Sequence, residues 1–477
     1  MDPGTADSKT ALVTHDDTST RRTYRTRWYV LCLVSIMSCV QNCIWAGWGP
    51  IAQSAKVVYG WDDRIIDMLV NAGNIACIVF ILPAAWLLDV KGLRVSIVLA
   101  SVVIAVGSGL RCITSQPIPA TWLIFLGQIL NGIGGTMAFA APPLLSGTWF
   151  PPQERTTATG IGILFSSAGG ALSFLLGPLI VSEPTSSTGN YTIGNSSWNN
   201  SSTPALACNI SDKDISLMRG QIKVLNYLEF GLAAGIAVLV LVYFPNKPPT
   251  PPSVSAGAKR MGFKDGLKLI SKMFAFWHLA LAFSIPSGVY GVWSSTLDVS
   301  IHQFGISQTE AGWLGFWGNT GGTLLGILIS RFADIFAKRM KLFLICIYSL
   351  STIFYVLFTL MVIQLIPGNS ALIYFTCISG GVFVTGAMPL FYEMACEGAY
   401  PAAEGVISGC ITLFLNLTGS FVLLLSLIPN IGTAWMNWAM VSSVAAAVLL
   451  MATFDEQYRR SKADATINIS QQTNSSK

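Results

Sequence analysis

Two short turns, 245 residues apart, each set a carboxylate just ahead of cations: Asp89-Val-Lys91-Gly92-Leu-Arg94 and Asp334-Ile-Phe-Ala337-Lys338-Arg339. Each closes a hydrophobic hairpin. A carboxylate at a helix end, beside a turn that glycine permits, can latch onto groups of a neighbouring helix. Such a latch stabilises one of two conformations and must break in the other. A short charged loop would look similar, but the duplication halfway along the chain favours the latch.

Further charges lie at the same level. One group is Trp149-Phe-Pro-Pro-Gln-Glu154-Arg155; the other contains Glu393, Glu397 and Glu404. Glu393 and Glu397 are four apart and share a helix face. The expected pairings are Glu393 and Glu397 with Lys338 and Arg339, and Glu154 and Arg155 with the first turn. A proton or cation site at Glu393 is the competing idea, since acids within a membrane are rare and functional. Glu229, in Asn226-Tyr-Leu-Glu229-Phe-Gly231, is the candidate for proton exchange, with pairing to Arg111 as the other reading.

Ligand-binding candidates are aromatic and amide side chains. Gln41, Trp45 and Trp48 fall at i, i+4 and i+7, one stripe of a helix. Tyr290 and Trp293 stand three apart beyond Pro286 and Gly288 in the matching span of the second half. Indole and phenol rings can stack on a flat heteroaromatic ligand or face a cation. Trp48 and Trp293 equally suit an interfacial aromatic belt. Gln128, Asn131 and Asn416 could orient a ligand or bind a neighbouring helix.

The elements that must position these residues are membrane spans. Only 11% of residues are charged, 52% are hydrophobic and the mean hydropathy is +0.58, whereas a soluble domain carries about 25% charge. Apolar stretches near 28–49, 64–88, 95–113, 121–146, 157–181, 222–244, 274–297, 309–332, 341–366, 371–393, 404–428 and 433–454 are each long enough to cross as helices. The expected fold is an all-α membrane protein of twelve transmembrane helices in two pseudo-symmetric six-helix bundles. Residues 1–27 are polar and carry no cleavable signal. With a cytoplasmic N-terminus, 22 of the 28 Lys and Arg fall on cytoplasmic segments and 6 opposite, the positive-inside bias. The net +5 is therefore topological and implies no nucleic-acid partner.

The expected organisation is a cytoplasmic tail at 1–27, a first bundle at 28–244, a linker at 245–272, a second bundle at 273–454 and a cytoplasmic tail at 455–477. The polar loop 182–221 carries sequons at Asn190, Asn195, Asn199, Asn200 and Asn209, which expects a glycosylated outer loop. Pro245, Pro248, Pro249, Pro251 and Pro252 precede Lys259, Arg260, Lys264, Lys268 and Lys272. That order suits a semi-rigid connector leading to a basic stretch along the inner membrane surface. The ten cysteines sit mainly in spans as small apolar residues, and Cys112 with Cys208 is the one pair placed for a bridge. His15, His278 and His302 are scattered and no H-E-x-x-H occurs, so neither a metal, a cofactor nor an enzyme is expected.

Five pieces carry a family resemblance: Gln41-Asn-Cys-Ile-Trp45-Ala-Gly-Trp48-Gly-Pro50, Gly109-Leu-Arg111-Cys112, Thr148-Trp-Phe150 with Glu154-Arg155, Ala311-Gly-Trp-Leu-Gly-Phe-Trp317, and the run from Glu393 through Tyr400-Pro401 to Glu404-Gly405. On these the chain resembles the major facilitator superfamily, and within it solute carrier family 49, the feline leukaemia virus subgroup C receptor-related transporters, over nearly all twelve spans. The resemblance implies proton-dependent export of pyridoxine (vitamin B6) from the lysosome by a monomer. Choline or ethanolamine is the alternative substrate within the family, and the plasma membrane the alternative location. Trp45 and Gln41 match the first-span tryptophan and polar residue of the choline carriers. Asn416 and Ser167 replace glutamines of those carriers and reshape the pocket. Ala85, Val90 and Leu93 depart from the family's turn motif, while Asp89, Gly92 and Arg94 keep it.

The resulting expectation is a carrier that rocks two bundles around a midplane site. A channel or scramblase would need no latch, so neutralising Asp89 and Asp334 would leave its flux intact. A non-transporting receptor would show no flux in a reconstituted membrane.

Overall fold

The structure, a computed structural model, describes residues 22–182, 184, 211–253, 256, 261–295, 297, 308–335, 339–426, 434–463 and 465. The first half contains α1 (Thr26–Ala46), the short α2 (Ala52–Tyr59), α3 (Asp63–Lys91), α4 (Leu93–Leu110), α5 (Pro117–Trp149), α6 (Arg155–Ile180) and α7 (Asp212–Val242). A short α8 (Phe263–Lys272) leads into the second half: α9 (Phe274–Ser295), α10 (Gln308–Ile335), α11 (Met340–Val362), α12 (Ser370–Gly398), α13 (Glu404–Ser426) and α14 (Ala434–Thr453). Eleven of these helices are long and apolar enough to cross a bilayer. The remaining long one, α10, packs along α6 and α12 from Gly312 to Ser330.

Local chemistry sets the helix ends. Asp62 and Asn369 cap α3 and α12 by accepting from the N–H groups of Ile65 and Leu372, at 3.0 and 2.8 Å. Pro83, Pro178, Pro286 and Pro389 lie inside long helices, which membrane helices tolerate because neighbours satisfy the freed carbonyls. Gly92, at φ +89°, makes the sharp joint between α3 and α4. Ser211 starts α7 ten residues ahead of its apolar stretch: Asp212, Lys213 and Asp214 extend the helix beyond the apolar region.

Each half has its own apolar core, and large apolar side chains such as Val79, Trp122, Leu324 and Leu449 point outward, as lipid requires. Between halves, α3 packs on α13 and α6 on α10, while α5 meets α13 and α12 meets α6. The second and fourth spans of each half thus touch the fifth of the other, the exchange a twofold relation demands. The first spans, α1 and α9, pack mainly within their own halves.

Both described chain ends and the connector lie on one end of the bundle, here the tail side. Asn246 of the connector accepts from the Arg94 N–H at 3.1 Å. In α8, Lys264, Lys268 and Lys272 are exposed while Gly266 and Ile270 are buried. This is an amphipathic helix against α13, α9 and α3. The five loop sequons lie outside the described residues, as do Cys208 and Lys338; of Asp334 only the backbone is described.

Candidate functional site

The first latch carboxylate reaches across the halves. Half-buried Asp89, at the end of α3, accepts from the Gly405 and Val406 N–H groups through its two oxygens, at 3.0 and 2.9 Å. Those amides are among the donors that open α13 without an intrahelical partner, so the carboxylate caps a helix of the opposite half and meets the positive end of its dipole. Gly405 leaves no room for a Cβ against Asp89, and one turn on Gly409 lies against Ala85. Arg94 is exposed and contributes its backbone N–H to Asn246.

The charged groups of the two turns also take partners outside them. Glu154 pairs with Arg27 at 2.9 Å, Arg155, 2% exposed, donates to the hydroxyl of Ser253, and Asp89 accepts from α13 amides. Arg27 and the connector thus reach the same side of the bundle as the first turn. Glu393 and Glu397 take Arg460, a residue that follows the last span. Exposed Arg339 joins none of the ion pairs among the described residues.

Arg460 is 1% exposed. Its guanidinium is ion-paired with Glu393, with Glu397 at 3.1 Å and with Glu404 at 3.8 Å, and the Ser461 N–H donates to Glu397 at 3.0 Å. Burial alone would favour loss of the Arg460 proton, but Glu393 and Glu397 with Glu404 outweigh it and hold the group protonated above its ordinary range. Two of these carboxylates face the first half. Glu393 accepts from the Thr159 hydroxyl of α6 at 3.4 Å, and Glu404 stands 2.9 Å from where a Cβ on Gly147 of α5 would lie. Arg460 had no distinguishing signal: Arg459-Arg460-Ser461-Lys462 reads as one more basic flank of a last span.

A second network closes the opposite end of α1. Arg111 donates to the Ile44 carbonyl and to Glu229, both at 3.3 Å, and to the Gln128 amide oxygen. Gln128 donates onward to the Trp45 carbonyl at 3.2 Å. Near the end of α1, these carbonyls are satisfied by buried side chains of α5 and of the residue closing α4. Pairing with Arg111 is therefore the described state of Glu229.

The ligand candidates separate. Gln41 and Asn131 exchange hydrogen bonds with each other's backbone carbonyls at 3.4 and 3.1 Å, joining α1 to α5. With Gln128, they bind helices in this structure. Trp48 is packed with Tyr59 and Trp61 beneath Arg111. Trp293 donates to Asn437 at 2.7 Å and lies edge-on to Tyr355 and Phe358. Both are core residues at 3% and 2% exposure: each packs among aromatic rings of its own half, which removes them from both cavity and belt. Trp45, Tyr290 and Asn416 stay half-buried. The Trp45 ring comes within 3.4 Å of where a Cβ on Gly73 would stand. Tyr290 directs its hydroxyl between Gly318 and Gly381, and Asn416 donates to the Thr412 carbonyl of its own helix at 2.8 Å. No described contact joins these three to one another.

Two halves exchanging equivalent helices, with a breakable carboxylate cap between them, define a secondary carrier, and the model of the Major Facilitator Superfamily matches residues 30–423. Solved structures share the fold. The fucose:proton symporter FucP of E. coli superposes with a TM-score of 0.63 at 12% identity, covering 91% of this chain and 100% of that one. XylE gives 0.65 at 12% identity, covering 91% and 96%. Among curated proteins, the solute carrier family 49 member 4 homolog of Xenopus tropicalis is 35% identical over 455 residues, 94% of this chain and 95% of the relative. The choline/ethanolamine transporter FLVCR1 of Felis catus is 28% identical over 400 residues, 82% and 66% of the two chains. The chain belongs to the major facilitator superfamily and, within it, to solute carrier family 49.

Proposed function

We propose that this transporter works by alternating access, carries pyridoxine out of the lysosome together with protons, and is held here with its cytoplasmic side closed. The supporting observation is the Asp89 cap on α13, a strong contact between halves that opening on that side must break. Hydrogen bonds to a charged group contribute about 1.5–3 kcal/mol each, so losing them moves a two-state equilibrium by tenfold or more. In this reading the repeat gives Asp334 the same task at the start of α6, and the loop 182–221 is glycosylated on the luminal side.

The solute site is drawn by half-buried Trp45, Tyr290 and Asn416, aromatic faces and an amide suited to a flat polar ring. Glu229 is the coupling carboxylate: a proton on it would discharge the pair with Arg111 beside the carbonyl that ends the Trp45 turn. Choline or ethanolamine is the second reading, favoured by likeness to the relative named as their transporter. The deciding experiment is uptake into proteoliposomes of pyridoxine, choline and ethanolamine, each with and without a pH gradient. Pyridoxine flux that rises with the gradient supports the proposal. Choline flux indifferent to the gradient, with no pyridoxine flux, overturns substrate and coupling together.

A further inference from the structure

The segment after α14 is docked into the tail-side end of the second half. The Met340 N–H donates to the Tyr458 hydroxyl at 3.1 Å and the Lys341 N–H to Glu456 at 2.9 Å. The Lys341 ammonium donates to the carbonyls of Ala452 and Phe454 at 3.0 and 2.6 Å. Arg460 is the deepest part of this docking. The fit of the first part of the segment is incomplete: a small cavity is lined by Phe276, Leu279, Met394 and Gly398 of the bundle and by Phe454 and Gln457 of the segment. Burying a guanidinium with carboxylates costs nearly as much in desolvation as their attraction returns. Docking therefore holds only while the charges around Arg460 are matched, and one negative charge added beside Glu397 unbalances them.

Ser461 is where such a charge can be added. Its N–H lies on Glu397, its side chain is half-buried, and Arg459 and Arg460 precede it in sequence. We propose that Ser461 is a phosphorylation site whose modification keeps the C-terminal segment off the bundle and unlocks the cytoplasmic gate. This rests on the alternating-access reading and its cytoplasmic placement of the tail. The Ser461 hydroxyl attacks the terminal phosphorus of a nucleoside triphosphate held by a separate arginine-directed kinase. A phosphate ester forms as the bridging P–O bond breaks, the hydroxyl proton passes to the kinase's base, and the nucleoside diphosphate leaves.

A kinase grips an extended segment, so it reaches Ser461 only while the segment is released. The phosphate, about −1.5 to −2 in charge, then opposes return in two ways. It is repelled by Glu397, whose oxygen accepts from the same residue's N–H, and it competes for Arg460 with Glu393 and Glu404. Those glutamates are the ones that face Thr159 and Gly147 of the first half, so undocking alters the gate itself.

The test uses the full chain in lipid nanodiscs, an arginine-directed serine kinase and MgATP, with phosphate located by mass spectrometry. The readout is maleimide labelling of Cys396, buried on α12 between Glu393 and Glu397 and interacting with Arg460. Buried Cys377, further along the same helix, reports global unfolding. Phosphate on Ser461 is expected to raise Cys396 labelling about tenfold, an equilibrium shift of about 1.4 kcal/mol, with Cys377 unchanged. Ser461→Ala should abolish the effect, and Arg460→Gln should reproduce it without kinase. The proposal is overturned if Ser461 takes no phosphate even in Glu393→Gln/Glu397→Gln, which frees the segment and keeps both arginines, or if it takes phosphate while Cys396 stays protected. Labelling needs no solute. A Cys396 response in a protein that moves no solute would sink the carrier reading and leave the tail switch standing.

Discussion

Asp89 holds two backbone amides of the other half, and this determines what its mutation does. Asn at 89 keeps one acceptor oxygen but sets an NH2 donor against the other amide and loses the charge, so Asp89→Asn should weaken the closed state by about 2–3 kcal/mol. Turnover should change severalfold while equilibrium substrate binding is largely kept; unchanged turnover would remove Asp89 from the gate. Arg111 is of another kind. Arg111→Leu strands Glu229 without its described cation, and breaking a buried pair costs about 3–5 kcal/mol. A fall in thermal unfolding temperature of several degrees is the expected result, with recovery when Glu229→Gln is added. Trp45→Ala removes the half-buried aromatic face next to Gly73 and should raise the transport KM about tenfold with smaller effect on kcat. Normal transport by that variant would discard the aromatic-site proposal.

Among helices, glycine and other small residues decide how closely the halves approach. Gly409 against Ala85, Gly160 against Ser330 and Gly326 against Leu164 lie on the two inter-half seams. Adding methyl groups there overpacks a contact made only while the tail side is closed, at a cost of about 1–3 kcal/mol. Gly409→Val should therefore shift the resting population toward tail-side opening. Faster maleimide labelling of neighbouring Cys410, 2% exposed here, would register it; unaltered labelling would mean the α3–α13 seam does not separate. The spans themselves were legible in the sequence, since twenty apolar residues in lipid have little choice but a helix. The seams were only half legible. Stripes such as Gly318, Gly322 and Gly326 announce close packing, yet one stripe serves Tyr290, Thr385 and Leu164 on three different elements.

For the whole molecule, the reciprocal contact of second and fifth spans makes the two halves movable against each other around shared seams. That geometry predicts a single transport cycle in which the same mutations slow flux of every substrate. With Asp89→Asn, pyridoxine and choline uptake into proteoliposomes should change by the same factor, whereas Trp45→Ala should change their ratio. A substrate-dependent effect of Asp89→Asn would place that residue in the binding site instead of the gate.

The sequence alone determined membrane residence and the placing of the apolar helices, eleven of which among the described residues are long enough to cross. These are consequences of local hydropathy and spacing, which each segment carries by itself. Tertiary structure decided which partner each charged group takes. Asp89 finds donors 316 and 317 positions away that are backbone amides and carry no side-chain signature. Glu393 and Glu397 find Arg460, 67 and 63 positions on, in a stretch that reads only as a basic flank. Trp48 and Trp293, alike in sequence to cavity residues, became core because rings of their own halves closed over them. Ion pairs and packing depend on what folding brings alongside, and that is a property of the assembled halves.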